Sequence, residues 1–282
     1  MNPTTLLITF LLVVLILAAG VLAGWRLLDH RGDRKAMHEL ALNQPEQPPT
    51  FSAGMVADLP EPARRYFLFA IEPRTLLYTV GEITMEGRFG MGDRDNPNYL
   101  DFSATQVLAV PEGFVWKMRA RGGLMRLSGS DSHRWTRFWL MGLLPVARLG
   151  GDPDHTRSAY GRYVAEAVFW TPAAMLPGPG ISWEGLDDDR ARVTVKYQGL
   201  SQSVDLTVAA DGQPLEVRFQ RWSNANPEKQ HRLQPFGGYL SEFRSFGGFR
   251  LPTHVEAGNH FGTDQYFPFF VADVTVVEYP HE

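Results

Sequence analysis

From residue 77 almost to its end, the chain alternates apolar and polar residues with a period of two. Ile83, Met85 and Phe89 alternate with Glu82, Thr84, Glu86 and Arg88, and Phe102, Ala104, Gln106, Leu108 and Val110 repeat the pattern. Phe114, Trp116 and Met118 follow against Val115, Lys117 and Arg119, and the last run, 271–279, carries Val274, Val276 and Val277. Successive side chains of a strand point to opposite faces, so this pattern commits most of the chain to sheet. The connections are short enough for antiparallel pairing. "PEG" at 111–113 joins two runs, and Asp211-Gly212 lies between Val204/Leu206/Val208 and Leu215/Val217/Phe219, a hairpin signal.

Two helices interrupt the strands. Ala63, Tyr66, Phe67 and Ala70 form one apolar stripe in a helix expected to begin near Asp58, with Asp58 and Glu61 spaced as a capping box and Pro60 and Pro62 in its first turn. A second helix is expected over 159–170, ending before Pro172, with Thr171 placed to cap a short helix after it. The fold class that follows is α+β: a curved antiparallel sheet or incomplete β-barrel with helices packed on its concave face.

The glycine pairs in PFGGYLSEFRSFGGF (235–249) fit the same scheme. A phosphate-binding glycine loop needs a strand before it and a helix N-terminus after it, and both pairs precede strands instead. Gly247-Gly248 is expected as a hairpin turn, and Gly237-Gly238 as a bend or bulge where another backbone passes close.

Residues 5–25 carry no charge, and at ~1.5 Å per residue a helix of that length crosses roughly 30 Å of hydrocarbon. The alternative is a cleaved signal peptide, but the preceding MNPTT has no Lys or Arg and the apolar run exceeds a usual signal core. The expected organisation is a single-pass anchor over 1–28, a flexible Pro- and Gln-rich linker over 29–56, and a β-rich globular region over 57–282. Arg26, Arg31, Arg34 and Lys35 follow the apolar run, so the positive-inside rule slightly favours a cytoplasmic globular region at the cytoplasmic membrane. The formal charge of −4 with no basic stripe argues against nucleic acid as a partner. The chain has no cysteine, which removes disulfides, thiol nucleophiles and Cys-ligated zinc.

The ordered series DLPEPARRYFLFAI (58–71), GRYVAEAVFWTPAAMLP (161–177), RW (221–222), PFGG (235–238) and GFRLPTHVEAGNHFGTDQYFPFF (248–270) resembles a bacterial family of membrane-anchored proteins of unknown function. A strand, DGQP, a strand and then GGFRLPT is similar to the pattern of lipoprotein-carrier and lipoprotein-sorting half-barrels. Those proteins wrap an incomplete barrel around helices and hold acyl chains in an apolar cavity, outside the cytoplasmic membrane. That resemblance therefore pulls against the cytoplasmic placement.

There is no G-x-S-x-G elbow, Walker loop, H-E-x-x-H or G-x-G-x-x-G after a strand. His254, Glu256, His260 and Asp264 are the densest group of metal-ligand types, yet two histidines in seven residues are ordinary, and neither metal nor cofactor is expected. Arg162 and Glu166 are i, i+4 on the second helix, with Arg221 a further candidate partner for the carboxylate. The aromatic run 134–145 reads as a buried strand and turn, as a flap over an apolar cavity, or as a segment at a bilayer interface. The candidate ligand-binding residues are Arg162, Glu166, Trp170, Arg221, Trp222, Asn259, His260, Asp264 and Tyr266. The function expected is a membrane-tethered binding domain for a lipid-like or other hydrophobic ligand, with the bilayer a partner through the N-terminal helix. A hydrolase using Glu166, His260 or Asp264, and a membrane-associated protein-interaction module, are the alternatives.

Overall fold

The computed structural model describes residues 2–280. Thirteen strands form one antiparallel sheet: β1 (Val80–Gly90), β2 (Tyr99–Ala109), β3 (Gly113–Gly122), β4 (Met125–Ser132), β5 (Trp135–Leu140), β6 (Leu144–Gly150), β7 (Ile181–Gly185), β8 (Arg190–Tyr197), β9 (Leu200–Val208), β10 (Pro214–Ser223), β11 (Arg232–Phe246), β12 (Phe249–Asn259) and β13 (Phe267–Glu278). Their order is β6-β5-β4-β3-β2-β1-β13-β12-β11-β10-β9-β8-β7, two meanders joined where the last strand pairs with the first. Three α-helices accompany them, α1 (Pro3–Ala41), α2 (Glu61–Ala70) and α3 (Pro153–Trp170).

The sheet is curled, and α3 shows why. From Ala159 to Trp170 apolar residues cover almost its whole circumference, with Tyr160, Tyr163, Val164, Ala167, Val168, Phe169 and Trp170 all buried. A helix that is apolar all round has to be enclosed. Accordingly α3 touches β3 and β6 on one side and β9, β10 and β12 on the other, strands that lie far apart in the sheet order. The sheet therefore wraps the helix, and the edge strands β6 and β7 stay unpaired with each other, so the barrel is incomplete. Helix α2 packs beside α3 against β7, β8, β9 and β12, with the buried Tyr66 hydroxyl donating to the Val168 carbonyl.

Both inner helices start later or earlier than expected. Helix α2 begins at Glu61 behind Pro60, not near Asp58, and no side chain caps it; Pro60 disfavours helical backbone at Leu59. Helix α3 begins at Pro153, six residues before the expected start, because Asp152 caps it by accepting from the His155 amide at 2.8 Å. Thr171 occupies the cap position of the short 3-10 turn Pro172–Met175 without a side-chain bond to it.

The segment expected as a flexible tether is docked along much of its length. Helix α1 continues unbroken to Ala41, and Asp29, Asp33, Ala36 and Leu40 recur on one face and are buried. Ala36 and Leu40 pack on Val80, Val107, Ala109 and Val115, the residues of β1–β3 that point away from α3. Beyond the helix, Gln44 acts as a surrogate strand residue. Its Oε1 accepts from the amides of Thr79 and Val80 at 2.8 and 3.0 Å, and its Nε2 donates to the Val80 carbonyl at 2.9 Å. Phe51 is buried in the main core. Proline and glutamine do rule out helix there, but an extended chain can still bond its neighbours through side chain and backbone.

Gly247-Gly248 forms the expected hairpin turn, whereas Gly237-Gly238, expected as a bend or bulge, lies in regular register with β10 and β12 and keeps only the expected close approach of neighbouring backbone. Gly247 and Gly248 turn between β11 and β12 with φ of 59° and 90°, the left-handed conformation a two-residue hairpin needs. Gly237 and Gly238 lie inside β11, where a Cβ would come within 2.3 Å of the Val217 carbonyl oxygen and 2.1 Å of the Glu256 carbonyl oxygen. Gly238→Ala is therefore expected to lower the unfolding free energy by about 1–3 kcal/mol, measured by denaturant unfolding in detergent, while Gly247→Asn leaves it nearly unchanged.

Candidate functional site

Between α3 and the concave sheet lies a cavity of about 240 Å³. One wall is a chain of aromatic rings. Phe219 packs on Phe236 at 5.3 Å, Phe236 on Phe269 at 5.9 Å and Phe269 on Phe89 at 5.7 Å. Phe89 continues to Trp116 at 6.2 Å, and Trp116 to Phe270 at 6.1 Å. Phe169 and Trp170 of α3 and Phe138 of β5 complete the apolar lining. Period-two alternation selects most of these residues, while Phe269 and Phe270, neighbours at the start of β13, both reach the cavity. On β5, Thr136 and Phe138 line the cavity, whereas Arg137 and Trp139 bond to α1 on the other face.

The polar end of the cavity is built on Arg162. Its Nη1 donates to Asp131 of β4 at 2.6 Å, and its Nε to Glu166 one helical turn on at 2.7 Å. Gln106 of β2 donates to the other oxygen of Glu166 at 2.7 Å. The guanidinium sits 4.7 Å over Phe114 and 5.2 Å over Trp116. Burial alone would lower the Arg162 pKa, but the charges of Glu166 and Asp131 outweigh it and raise it. Arg162 is thus fully engaged, a structural ion triad that ties α3 to β4 and β2.

Arg221 of β10 lines the same cavity and has a different environment. Its guanidinium carbon stands 4.9 Å over the Phe236 ring. It forms no ion pair among the described residues, and its Nε is buried without an acceptor. Burial first, and the neighbouring Arg162 charge second, push its pKa down to about 10 against the pull of Asp131 and Glu166. It remains a cation at neutral pH. The indole Nε1 atoms of Trp116 and Trp170, two further lining residues, are also buried without a partner. The four charged side chains sum to zero, and the unused hydrogen-bonding capacity is mostly on the donor side, with the buried Oε1 of Gln106 the one unpartnered acceptor beside Arg221 Nε and the two indoles among the described residues.

Of the residues expected from sequence, Arg162, Glu166, Trp170 and Arg221 converge on this cavity. The others do not line it. Trp222 donates to Asp154 at 2.8 Å and stacks on His231, with Arg157 4.0 Å over its ring. Asn259 lies in the ladder opposite Phe236 and Phe267. His260 and Asp264 belong to the turn between β12 and β13, where the Asp264 carbonyl accepts from Arg94. The Tyr266 hydroxyl donates to the Glu256 carbonyl at 3.3 Å, and its ring packs on Phe261. Glu166 therefore shares no site with His260 or Asp264. His254 bonds Asp273 at 2.7 Å and Glu256 at 3.5 Å, and no group of three or more metal-ligand side chains converges among the described residues. Asp131, Gln106, Phe236 and Phe270 were missed as site residues. Each sits in an ordinary strand, and only the cavity-facing phase of the alternation marked them.

Residues 49–272 match the family of unknown function DUF6544, and the chain belongs to that family. A search of curated proteins finds no match. Among solved structures, a LolA-superfamily protein from Nitrosomonas europaea is 13% identical, covering 81% of this chain and 93% of its own, with a TM-score of 0.37. A DUF1329-family protein from Desulfovibrio piger is 11% identical, covering 87% of this chain and 92% of its own, with a TM-score of 0.38. Scores this low place no weight on function, which has to be read from the cavity itself.

Arg162→Met leaves two half-buried carboxylates facing each other without their shared partner, which is expected to cost about 3–5 kcal/mol in denaturant unfolding. Glu166→Gln keeps an acceptor for Arg162 Nε and is expected to cost only about 1–2 kcal/mol. An equal effect of the two changes would show that Arg162 is not the centre of the triad.

Proposed function

We propose that this protein is a membrane-tethered binding domain for a lipid-like ligand, whose apolar part fills the aromatic cavity and whose polar head accepts hydrogen bonds from Arg221. One observation carries the proposal: an apolar, aromatic-walled cavity bordered by the half-buried Arg221, whose guanidinium Nε is buried with no protein acceptor. A binding pocket commonly combines an apolar lining with a few placed polar groups, and this cavity has that composition. At about 240 Å³ it is smaller than the ~300–1,000 Å³ usual for drug-sized ligands, which suits a single chain or ring system. Arg162, Glu166 and Asp131 hold the polar end in place, and Trp170 contributes to the wall.

The tether is the first part of α1. Its apolar window has a mean hydropathy of 3.1, and none of that window is buried against the rest of the chain. An exposed helix of that composition favours a bilayer over water. Arg26, Arg31, Arg34 and Lys35 beyond it favour a cytoplasmic domain.

Native mass spectrometry of the detergent-extracted protein is expected to show a co-purifying lipid. Arg221→Met supplies the decisive comparison. A cation whose pKa is lowered on folding destabilises the empty protein at every pH below about 10, and the effect is relieved as pH rises through that value. Removing it is therefore expected to raise the melting temperature of the delipidated protein while abolishing lipid retention. Retention unchanged in Arg221→Met would overturn the assignment of Arg221; no lipid in either protein would overturn the binding function itself.

A further inference from the structure

Helix α1 runs without interruption from its apolar stretch onto the outer face of the sheet, and its contacts set a vertical scale for the whole domain. At the upper end, Glu39 faces Arg134, and Ala36 and Leu40 pack near Trp135. Lower down, Asp33 accepts from Arg137 at 2.7 Å and from Ser130 at 2.7 Å. Asp29 accepts from Trp139 at 2.8 Å and from Arg148 at 3.0 and 2.5 Å. Burial would raise the Asp29 pKa, but these bonds and the Arg137 and Arg148 charges keep it below the ordinary carboxylate range. Lowest of all, Trp25 meets Trp139 edge-on at 5.7 Å, and Arg26 donates to Ser128 at 3.0 Å.

Strand β5 thus descends alongside the helix as its residue numbers rise, and β4 descends as its numbers fall. The β3–β4 tip continues past the level of Arg26, and at the β5–β6 tip Gly142 stands against the Arg26 guanidinium. Leu124 lies four residues beyond Ser128, or about 13 Å of strand. That equals roughly nine residues of helix at ~1.5 Å each, which reaches well into the uncharged run 5–25. The β5–β6 tip, residues 141–143, follows directly on Trp139 and Leu140.

The side chains at these two tips are apolar and uncovered. Leu124 is 94% exposed, and Met125, Met141, Leu143, Leu144 and Val146 are between 38% and 55% exposed. Grouped exposed apolar residues in a globular domain mark a surface that contacts something else. Just above them opens a polar groove of about 980 Å³ lined by the carboxylates of Glu86, Asp101 and Asp273 and by an excess of arginines that includes Arg26, Arg119, Arg121 and Arg126. None of these four forms an ion pair among the described residues. Apolar tips below a row of unpaired arginines match the layering of hydrocarbon under anionic headgroups.

We propose that the β3–β4 and β5–β6 hairpin tips form a second membrane contact, inserting into the headgroup boundary of the leaflet that α1 leaves, with Arg119, Arg121 and Arg126 against anionic phospholipid. The proposal rests on residues 5–25 being a membrane span. Its consequence is a fixed orientation. Phe89 near the end of β1, Phe269 and Phe270 at the start of β13 and Phe138 on β5 all lie toward this same rim, so the cavity sits over the bilayer from which a lipid would come.

The absence of native cysteine makes the test direct. Single variants Leu124→Cys, Leu143→Cys, Ile16→Cys and Asp211→Cys of the full chain are labelled with an environment-sensitive fluorophore. They are placed in nanodiscs of zwitterionic phospholipid with a minority of anionic phospholipid and with lipids bearing a nitroxide either near the headgroup, to reach positions 124 and 143, or near the acyl-chain end, to reach position 16. All four positions are exposed, so the fold is retained. The expected result is loss of fluorescence at positions 124, 143 and 16 and none at 211, which lies in the turn at the opposite end of the sheet. Quenching at 16 alone overturns the second contact and leaves the tether intact. No quenching at 16, 124 or 143 overturns both, and quenching at all four shows non-specific association and overturns the proposed orientation.

Discussion

Enclosure of α3 is the constraint from which the rest of the architecture follows. A helix with Tyr160, Tyr163, Val164, Val168, Phe169 and Trp170 around its circumference cannot rest on a flat sheet without leaving much of that surface in water. Thirteen antiparallel strands provide the curvature, and the wrapping brings β3 and β10 to opposite sides of one helix. It also decides the chemistry of the interior. Arg162 and Glu166 are carried inside with the helix, and each must find a partner there because an isolated buried charge is costly. Asp131 and Gln106 meet that need. Arg221 is carried in as well, and no protein group meets its need.

The half of the sheet formed by β1–β5 is packed on both faces. Its inner face belongs to the main core and its outer face to α1, so Val107, Ala109 and Val115 are as buried as Leu108, Phe114 and Trp116. Strand β5 is the clearest case. Thr136 and Phe138 line the cavity, and Arg137 and Trp139 grip Asp33 and Asp29 of the helix. The helix that would sit in the membrane and the cavity that would hold the ligand are therefore one residue apart along a single strand. A displacement of α1 relative to the sheet would be felt at the cavity wall through that strand, because packed interiors transmit strain.

Much of the candidate site was legible one residue at a time. Arg162, Glu166 and Trp170 stand out as charged and aromatic residues on an otherwise apolar helix, and Arg221 as a charge beside an aromatic residue in a strand. Their convergence was not legible, since Asp131 and Arg162 are joined only by the curling of the sheet. The same ambiguity affected the residues assigned with them. Trp222 neighbours Arg221 in sequence, but it meets the N-terminal turn of α3 rather than the cavity, donating to Asp154 and stacking on His231. His260 and Asp264 read as a polar cluster with Glu256, yet they belong to a turn beyond the strand.

The sequence by itself determined the local conformations. Period-two alternation set the strands, Asp211-Gly212 and Gly247-Gly248 set two of the hairpins, and the uncharged run set a helix long enough to cross a bilayer, because each depends only on neighbours within a few residues. What only the tertiary structure decided was which residues meet. The docking of residues 29–51, the ion triad around Arg162, the unpaired guanidinium of Arg221 and the level of the hairpin tips against α1 all depend on contacts between distant parts of the chain. Pattern along a chain reports which face a side chain takes; the curvature of the sheet decides what that face is turned toward.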